Sequence, residues 1–215
     1  MSDNIIITID RQYGSGGHII GKKLAEDLRI PFYDSDILKE AAKESGICEE
    51  IFESFDEKPT SSFLYSLVMD PFSLGYNNNS FDMPINYKVF LAAFDTIKSL
   101  AKKGPCVFVG RCADYALSDQ NLPFLSVFVK APLESRMIRA QEVYGIPAAK
   151  CKEVLTKRDK ERANYYNYYT SNRWGDAKSY DLCLDSSKYG IHGSVDLIRF
   201  AAELKMKRLQ QKAEQ

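Results

Sequence analysis

Five aliphatic or β-branched residues, Ile5-Ile6-Ile7-Thr8-Ile9, lead within a few positions into Gly14-Ser15-Gly16-Gly17. The apolar residues then recur at steps of four, at Ile20, Leu24 and Leu28. A strand without polar alternation can be stable only if both of its faces are covered, as in the middle of a parallel sheet. The four-residue steps, with Lys22, Lys23, Glu26 and Asp27 between them, describe a helix with one apolar stripe, which lies back on that sheet. Strand, glycine turn and helix are the opening of a βαβ unit.

The rest of the chain repeats the alternation. Pro31-Phe32-Tyr33 reads as a short strand, and Asp34 with Ser35 offers N-cap chemistry for a helix from Asp36 to Glu44 ended by Gly46. From Tyr87 to Lys103, Val89, Ala93, Ile97 and Leu100 trace a helical face stopped by Gly104-Pro105. Cys106 to Val109 and Leu125 to Val129 are apolar strands. A helix then starts at Ala131-Pro132 and ends at Gly145, and a long basic one runs from Pro147 to about Tyr169. Asp181 to Asp185 reads as a last strand and Val195 to about Leu209 as a closing helix. This order predicts one α/β domain over residues 1–215, in three layers, with a mostly parallel five-stranded sheet and helices on both faces. Residues 36 to 86, acidic and without clear period, read as an inserted helical lid or substrate-binding subdomain, and residues 145 to 175 as a basic lid.

Charge and cysteine usage narrow the function. The 29 basic residues balance 29 acidic ones, which argues against a general nucleic-acid binder, since such proteins need a net basic face. The five cysteines form no C-x-x-C pair, and no run approaches the roughly 20 apolar residues of a membrane span. A cytoplasmic protein is expected, with small-molecule partners and neither nucleic acid nor membrane. Locally the balance is uneven: residues 34–60 hold nine acids against three lysines, and residues 130–173 hold ten bases against five acids.

Glycines between a first strand and a first helix let backbone N–H groups approach an anion at the positive end of the helix. The dinucleotide fingerprint G-x-G-x-x-G fits Gly14 and Gly16 but meets Ile19 at its third glycine, so a nicotinamide or flavin site is not expected. The phosphate-loop pattern G-x-x-x-x-G-K-[ST] nearly matches Gly16 to Lys23, but that register would put Ile20, a member of the apolar stripe, into a phosphate cradle. The register that respects strand and helix sets Arg11 at the first glycine, Gly16 at the second, Gly17 at the lysine and His18 at the hydroxyl. Gly14, Ser15, Gly16, Gly17 and His18 are then the candidate phosphate cradle, and Arg11 and His18 are the candidates to replace the missing lysine charge and donor.

On the basic helix, Arg158 and Arg162 are one turn apart and could clamp a polyphosphate or pair with Asp159 and Glu161. Arg136 and Arg139 are weaker candidates of the same kind. The cluster from Tyr165 to Tyr169 could stack a base or pack the helix onto the core. His192 reads as surface or capping chemistry, and Cys112 has no identifiable base beside it.

Ile7-Thr8-Ile9-Asp10 before the glycine loop, Tyr33-Asp34-Ser35, Val109-Gly110-Arg111, Arg158-Asp159 with Arg162, and Asp181 to Ser186 occur in an order that resembles the cytidylate kinase-like family of P-loop nucleotide kinases, over about residues 4 to 205. The resemblance implies a nucleoside-monophosphate-kinase fold that moves the γ-phosphoryl of ATP, with Mg²⁺, to a nucleoside monophosphate or a related small acceptor. It implies Ser35, Asp36 and Arg111 near the acceptor, with Arg158 and Arg162 on the transferring group. Asp36 stands where the family has glycine. Cys112 stands where it has aspartate, which leaves Asp10, Asp114 or water to hold the metal. The missing lysine keeps open a second reading, a nucleotide-binding regulatory protein with little or no turnover.

Overall fold

A computed structural model describes residues 5–34, 37 and 85–213. Strand β1 (Ile6–Arg11) is buried at all six positions, as its uninterrupted apolar run requires. It is followed by α1 (Gly17–Leu28), β2 (Phe32–Tyr33), α2 (Ile85–Lys102), β3 (Val107–Val109), a short α3 (Ala113–Leu117) and β4 (Phe124–Lys130). Helices α4 (Leu133–Tyr144) and α5 (Ala148–Thr170) come next, then β5 (Leu182–Asp185) and α6 (Ser186–Ala213). All neighbouring strands are parallel, in the order β2-β3-β1-β4-β5, with Ile7 opposite both Val107 and Leu125.

The alternation along β1 divides the core into two. Ile5, Ile7 and Ile9 meet Ile20 and Leu24 of α1 and Val195 and Ile198 of α6. Ile6 belongs to the other side, with Ile97 and Leu100 of α2, Leu117 of α3 and Tyr166 of α5. The three-layer expectation is thereby met. Helix α1 lies close to the sheet because Gly21 faces it, where an added methyl would stand 2.9 Å from Val109 Cγ2.

Several boundaries differ from the expectation. Helix α6 begins at Ser186, directly after β5, and is interrupted at Gly190, whose φ of 64° and ψ of −176° only glycine adopts readily. Helix α3 has too few residues to show an apolar period. The expected 36–44 helix, apart from Ile37, and the segment 47–84 lie outside the described residues. Among the described residues no helix is long and apolar enough to cross a membrane.

Candidate phosphate-binding site

The two-residue period that places Ile7 and Ile9 under α1 carries Arg11 to the same side, while Thr8 and Asp10 point to the other. The chain then turns through Gly14 (φ 77°) and Gly16 (φ 84°), and α1 starts at Gly17 with Gly16 as its N-cap. That start supports the register with Gly17 at the lysine and His18 at the hydroxyl. Ile20 is fully buried in the core, which removes the alternative register.

The loop is braced from outside. Arg136 of α4 donates through Nη1 to the Tyr13 carbonyl at 3.1 Å, and Arg139 donates to the Gly14 carbonyl at 2.9 Å. The Ser186 hydroxyl at the start of α6 donates to the Ser15 carbonyl at 2.5 Å. From α5, Asp159 accepts the Tyr13 N–H at 2.7 Å and the Arg136 guanidinium at 2.5 Å. Three successive carbonyls are thus held by side chains of other elements, which fixes the peptide planes of the turn. Gly14 must be glycine here: a methyl would stand 2.8 Å from the Arg136 carbonyl oxygen, a backbone atom that cannot swing aside.

Inside the turn lies a cavity of about 260 Å³ lined by the loop, Arg11, His18, Asp34, Tyr144 and Arg162. It sits at the carboxyl ends of the strands, where parallel sheets bind ligands. Its basic groups outnumber its acidic ones. Asp34, the acid in its lining, is bound at 3.0 Å to His18 Nε2 and at 2.8 Å to Arg111 Nη1. Burial alone would raise the Asp34 carboxyl, but the His18 hydrogen bond and the charges of Arg111 and Arg11 outweigh it and hold the group at about 2. Across the cavity, burial and Tyr13 push the Tyr144 hydroxyl up, against the downward pull of Arg139, Arg162 and Arg11. Such converging charge suits a polyanion.

Arg111 is aimed by an unusual turn. Gly110, Arg111 and Cys112 follow β3 with φ of 79°, 55° and 55°, three left-handed residues in a row. Left-handed backbone costs a non-glycine residue roughly 1–2 kcal/mol, so the surroundings must hold it. The turn seats Arg111, 4% exposed, on Asp34 and buries the Cys112 side chain. Asp34 reads in the sequence as a helix cap and as part of the Tyr33-Asp34-Ser35 motif, without a site role of its own. Its place directly after β2, at the carboxyl edge of the sheet, was the signal for a site role.

The expected lid arginines part company. Arg162 lines the cavity, donates to the Arg11 carbonyl at 3.1 Å and lies 5.5 Å over the Tyr13 ring. Arg158 is exposed and pairs with Glu161 at 3.3 Å, so the structure does not bring it to the cavity. The inward stripe of α5 is set by its buried anchors Leu155, Tyr166 and Thr170, and this stripe carries Asp159 and Arg162 while leaving Arg158 off it. The tyrosines pack the helix onto α2: Tyr169 stacks on Phe90 with ring centroids 3.8 Å apart, and Tyr165 meets both rings.

Asp10 and Asp114 are not juxtaposed with the glycine loop in this cavity. Asp10 borders a smaller pocket of about 10 Å³ with Arg111, Cys112 and Arg162, and accepts the Tyr180 hydroxyl at 2.9 Å. Asp114 accepts the Tyr166 hydroxyl at 2.6 Å, and its burial raises the carboxyl above the usual range. Removing that hydroxyl, as in Tyr166→Phe, takes the side-chain donor from a buried carboxyl that keeps its backbone donors, and is expected to cost about 1–3 kcal/mol in urea unfolding. A loss under about 0.5 kcal/mol would mean that water replaces the hydroxyl. Among the described residues no group of three or more His, Cys, Asp or Glu could hold a metal ion. Ser35 and Asp36 lie outside the described residues, and His192 is exposed on α6.

The family model described as the cytidylate kinase-like family matches residues 6–188. A cytidylate kinase from Methanopyrus kandleri is 23% identical over 210 residues, covering 94% of this chain and 95% of its own. One from Methanocaldococcus jannaschii is 25% identical over 202 residues, covering 93% and 98%. Among solved structures, an uncharacterized protein from Eubacterium ventriosum is similar with a TM-score of 0.69 and 28% identity over 93% of this chain and 99% of that one. TT1252 from Thermus thermophilus shares the fold, with a TM-score of 0.51 at 20% identity over 94% and 98% of the two chains.

Proposed function

Because this chain belongs to the cytidylate kinase-like family, we propose that it is a phosphotransferase that moves the γ-phosphoryl of ATP to a nucleoside monophosphate or a related small acceptor. The observation that carries this reading is the cavity under the glycine turn. There a braced loop at a helix N-terminus faces the Arg162 side chain at the carboxyl edge of a parallel sheet.

Phosphoryl transfer needs positioning and charge neutralisation more than covalent help. The turn from Gly14 to His18 holds the donor phosphates through its backbone, kept rigid by Arg136, Arg139 and Ser186. Arg162 reaches in from α5 and stabilises charge on the transferring group, as a planar guanidinium does for phosphate oxygens. Arg111 is the acceptor-side cation. It is held by Asp34, so an acceptor phosphate would share or displace that carboxylate. Magnesium would accompany the triphosphate and screen its charge. The Asp10 carboxylate, which lines the smaller pocket beside Arg111 and accepts the Tyr180 hydroxyl, offers the hard oxygen donor that this ion favours, whereas Asp114 lines neither pocket and does not fit as a ligand.

The test is a coupled assay with ATP and magnesium against a panel of nucleoside monophosphates and small alcohols. Turnover with one acceptor class supports the proposal. Thermal stabilisation by ATP with no turnover on any acceptor would overturn it in favour of a regulatory nucleotide binder.

A further inference from the structure

A phosphate-binding loop of this register carries a lysine on the first turn of its helix, and here that position is Gly17. The structure shows what occupies the space. A methyl added at Gly17 would stand 2.5 Å from Arg11 Cβ and 3.1 Å from Arg11 Cγ, with Val129 Cβ at 3.3 Å. The backbone of Gly17 is ordinary helix with no positive φ, so conformation does not demand glycine there. What demands it is the stem of Arg11, which runs beneath the first turn of α1.

Arg11 is placed there by the strand period. It is the next residue after Ile7 and Ile9 on the α1 side of β1, is 7% exposed, and is the first residue of the strand's carboxyl end to line the cavity. Its charge acts on the Asp34 carboxyl and on the Tyr144 hydroxyl, two groups of the cavity wall. Its backbone carbonyl is held by Arg162 at 3.1 Å. A buried cation with this reach, under a helix N-terminus that lacks its own lysine, is equipped to meet phosphate oxygens.

We propose that Arg11 and Gly17 are a reciprocal exchange: the cation that such loops carry on the helix is supplied from the end of β1, and Gly17 is glycine because the Arg11 stem fills the space of its side chain. This rests on the donor-phosphate reading above. Arg11 is then the phosphate-binding cation for the β and γ phosphates, and its planar fork can take two oxygens where a lysine takes one.

The experiment measures binding of ATP, ADP, AMP and inorganic tripolyphosphate by calorimetry to the full chain and to four variants. Arg11→Met is expected to weaken ATP and tripolyphosphate roughly 10- to 100-fold while AMP changes less than about threefold, because the lost contact is to the outer phosphates. Arg11→Lys is expected to retain most of the affinity. Gly17→Lys alone collides with Arg11 and is expected to lose affinity or melt early, and Arg11→Gly combined with Gly17→Lys is expected to restore binding to within about tenfold of the natural protein. An Arg11→Met protein that loses melting temperature but binds all four ligands in unchanged proportion would overturn the exchange and make Arg11 a packing residue. A double variant no better than Gly17→Lys would overturn it as well. If the natural protein binds neither ATP nor tripolyphosphate, the donor-site reading fails and takes the exchange with it. Binding that is independent of Arg11 sinks the exchange alone.

Discussion

Replacing Arg162 by alanine is expected to lower phosphoryl transfer by roughly 100- to 1,000-fold, the usual consequence of removing one preorganised donor from a developing charge. Ground-state affinity for ATP should fall less, because the contribution of the guanidinium grows as the transferring group separates from its leaving oxygen. The variant also loses the hydrogen bond to the Arg11 carbonyl and the cation over the Tyr13 ring, contacts worth about 1–2 kcal/mol together, so a melting curve accompanies the rate measurement. Arg158→Ala is the internal control. Its side chain is exposed and satisfied by Glu161, so the change should alter turnover by no more than about twofold. Equal, large losses in both variants would show that α5 moves during catalysis and presents Arg158 too. No loss in Arg162→Ala would remove the lid role altogether.

Asp34→Ala should produce the largest loss of stability. Arg111 is 4% exposed, and the change removes the carboxylate that it pairs with at 2.8 Å and on which the charge of Arg11 also acts. Removing one partner of a buried pair costs about 3–5 kcal/mol, or about 6–20 °C in melting temperature for a domain of this size. Asp34→Asn keeps the shape and isolates the charge. The Asp34 carboxyl is depressed from 3.8 to about 2, so the stability it contributes is present in full above about pH 4 and is lost as pH falls towards 2. That contribution is about 2 kcal/mol at neutral pH. Urea titrations should therefore show a gap between the natural protein and Asp34→Asn that is constant from pH 7 to about pH 5 and narrows at lower pH. A gap that widens as pH falls would mean that the charged carboxylate, held by His18, Arg111 and Arg11, is not the source of the stabilisation.

Much of the fold was legible because it depends on local periods. The unbroken apolar run of β1, the four-residue steps of α1 and the glycine and proline stops around α2 and α4 each follow from burial and backbone chemistry within a few residues. Helix α3 escaped because a turn of five residues carries no period, and the early start of α6 escaped because Gly190 interrupts the helix between its first turn and the apolar stripe that begins at Val195. The candidate cradle was legible for the same reason as β1: it is continuous in sequence, from Arg11 to His18.

The sequence by itself determined a parallel α/β layer order and the place of an anion-ready turn at the head of its first helix, because strand and helix periods and glycine backbone freedom are properties of neighbouring residues. Only the tertiary structure decided which distant side chains meet that turn. The buried anchors Leu155 and Tyr166 choose the inward stripe of α5 and so bring Arg162 and Asp159, not Arg158, to the loop. Three left-handed residues after β3 seat Arg111 on Asp34, 77 positions away. Direction of this kind comes from packing between elements, where a shift of one residue around a helix turns a side chain by about 100° and exchanges a cavity for solvent.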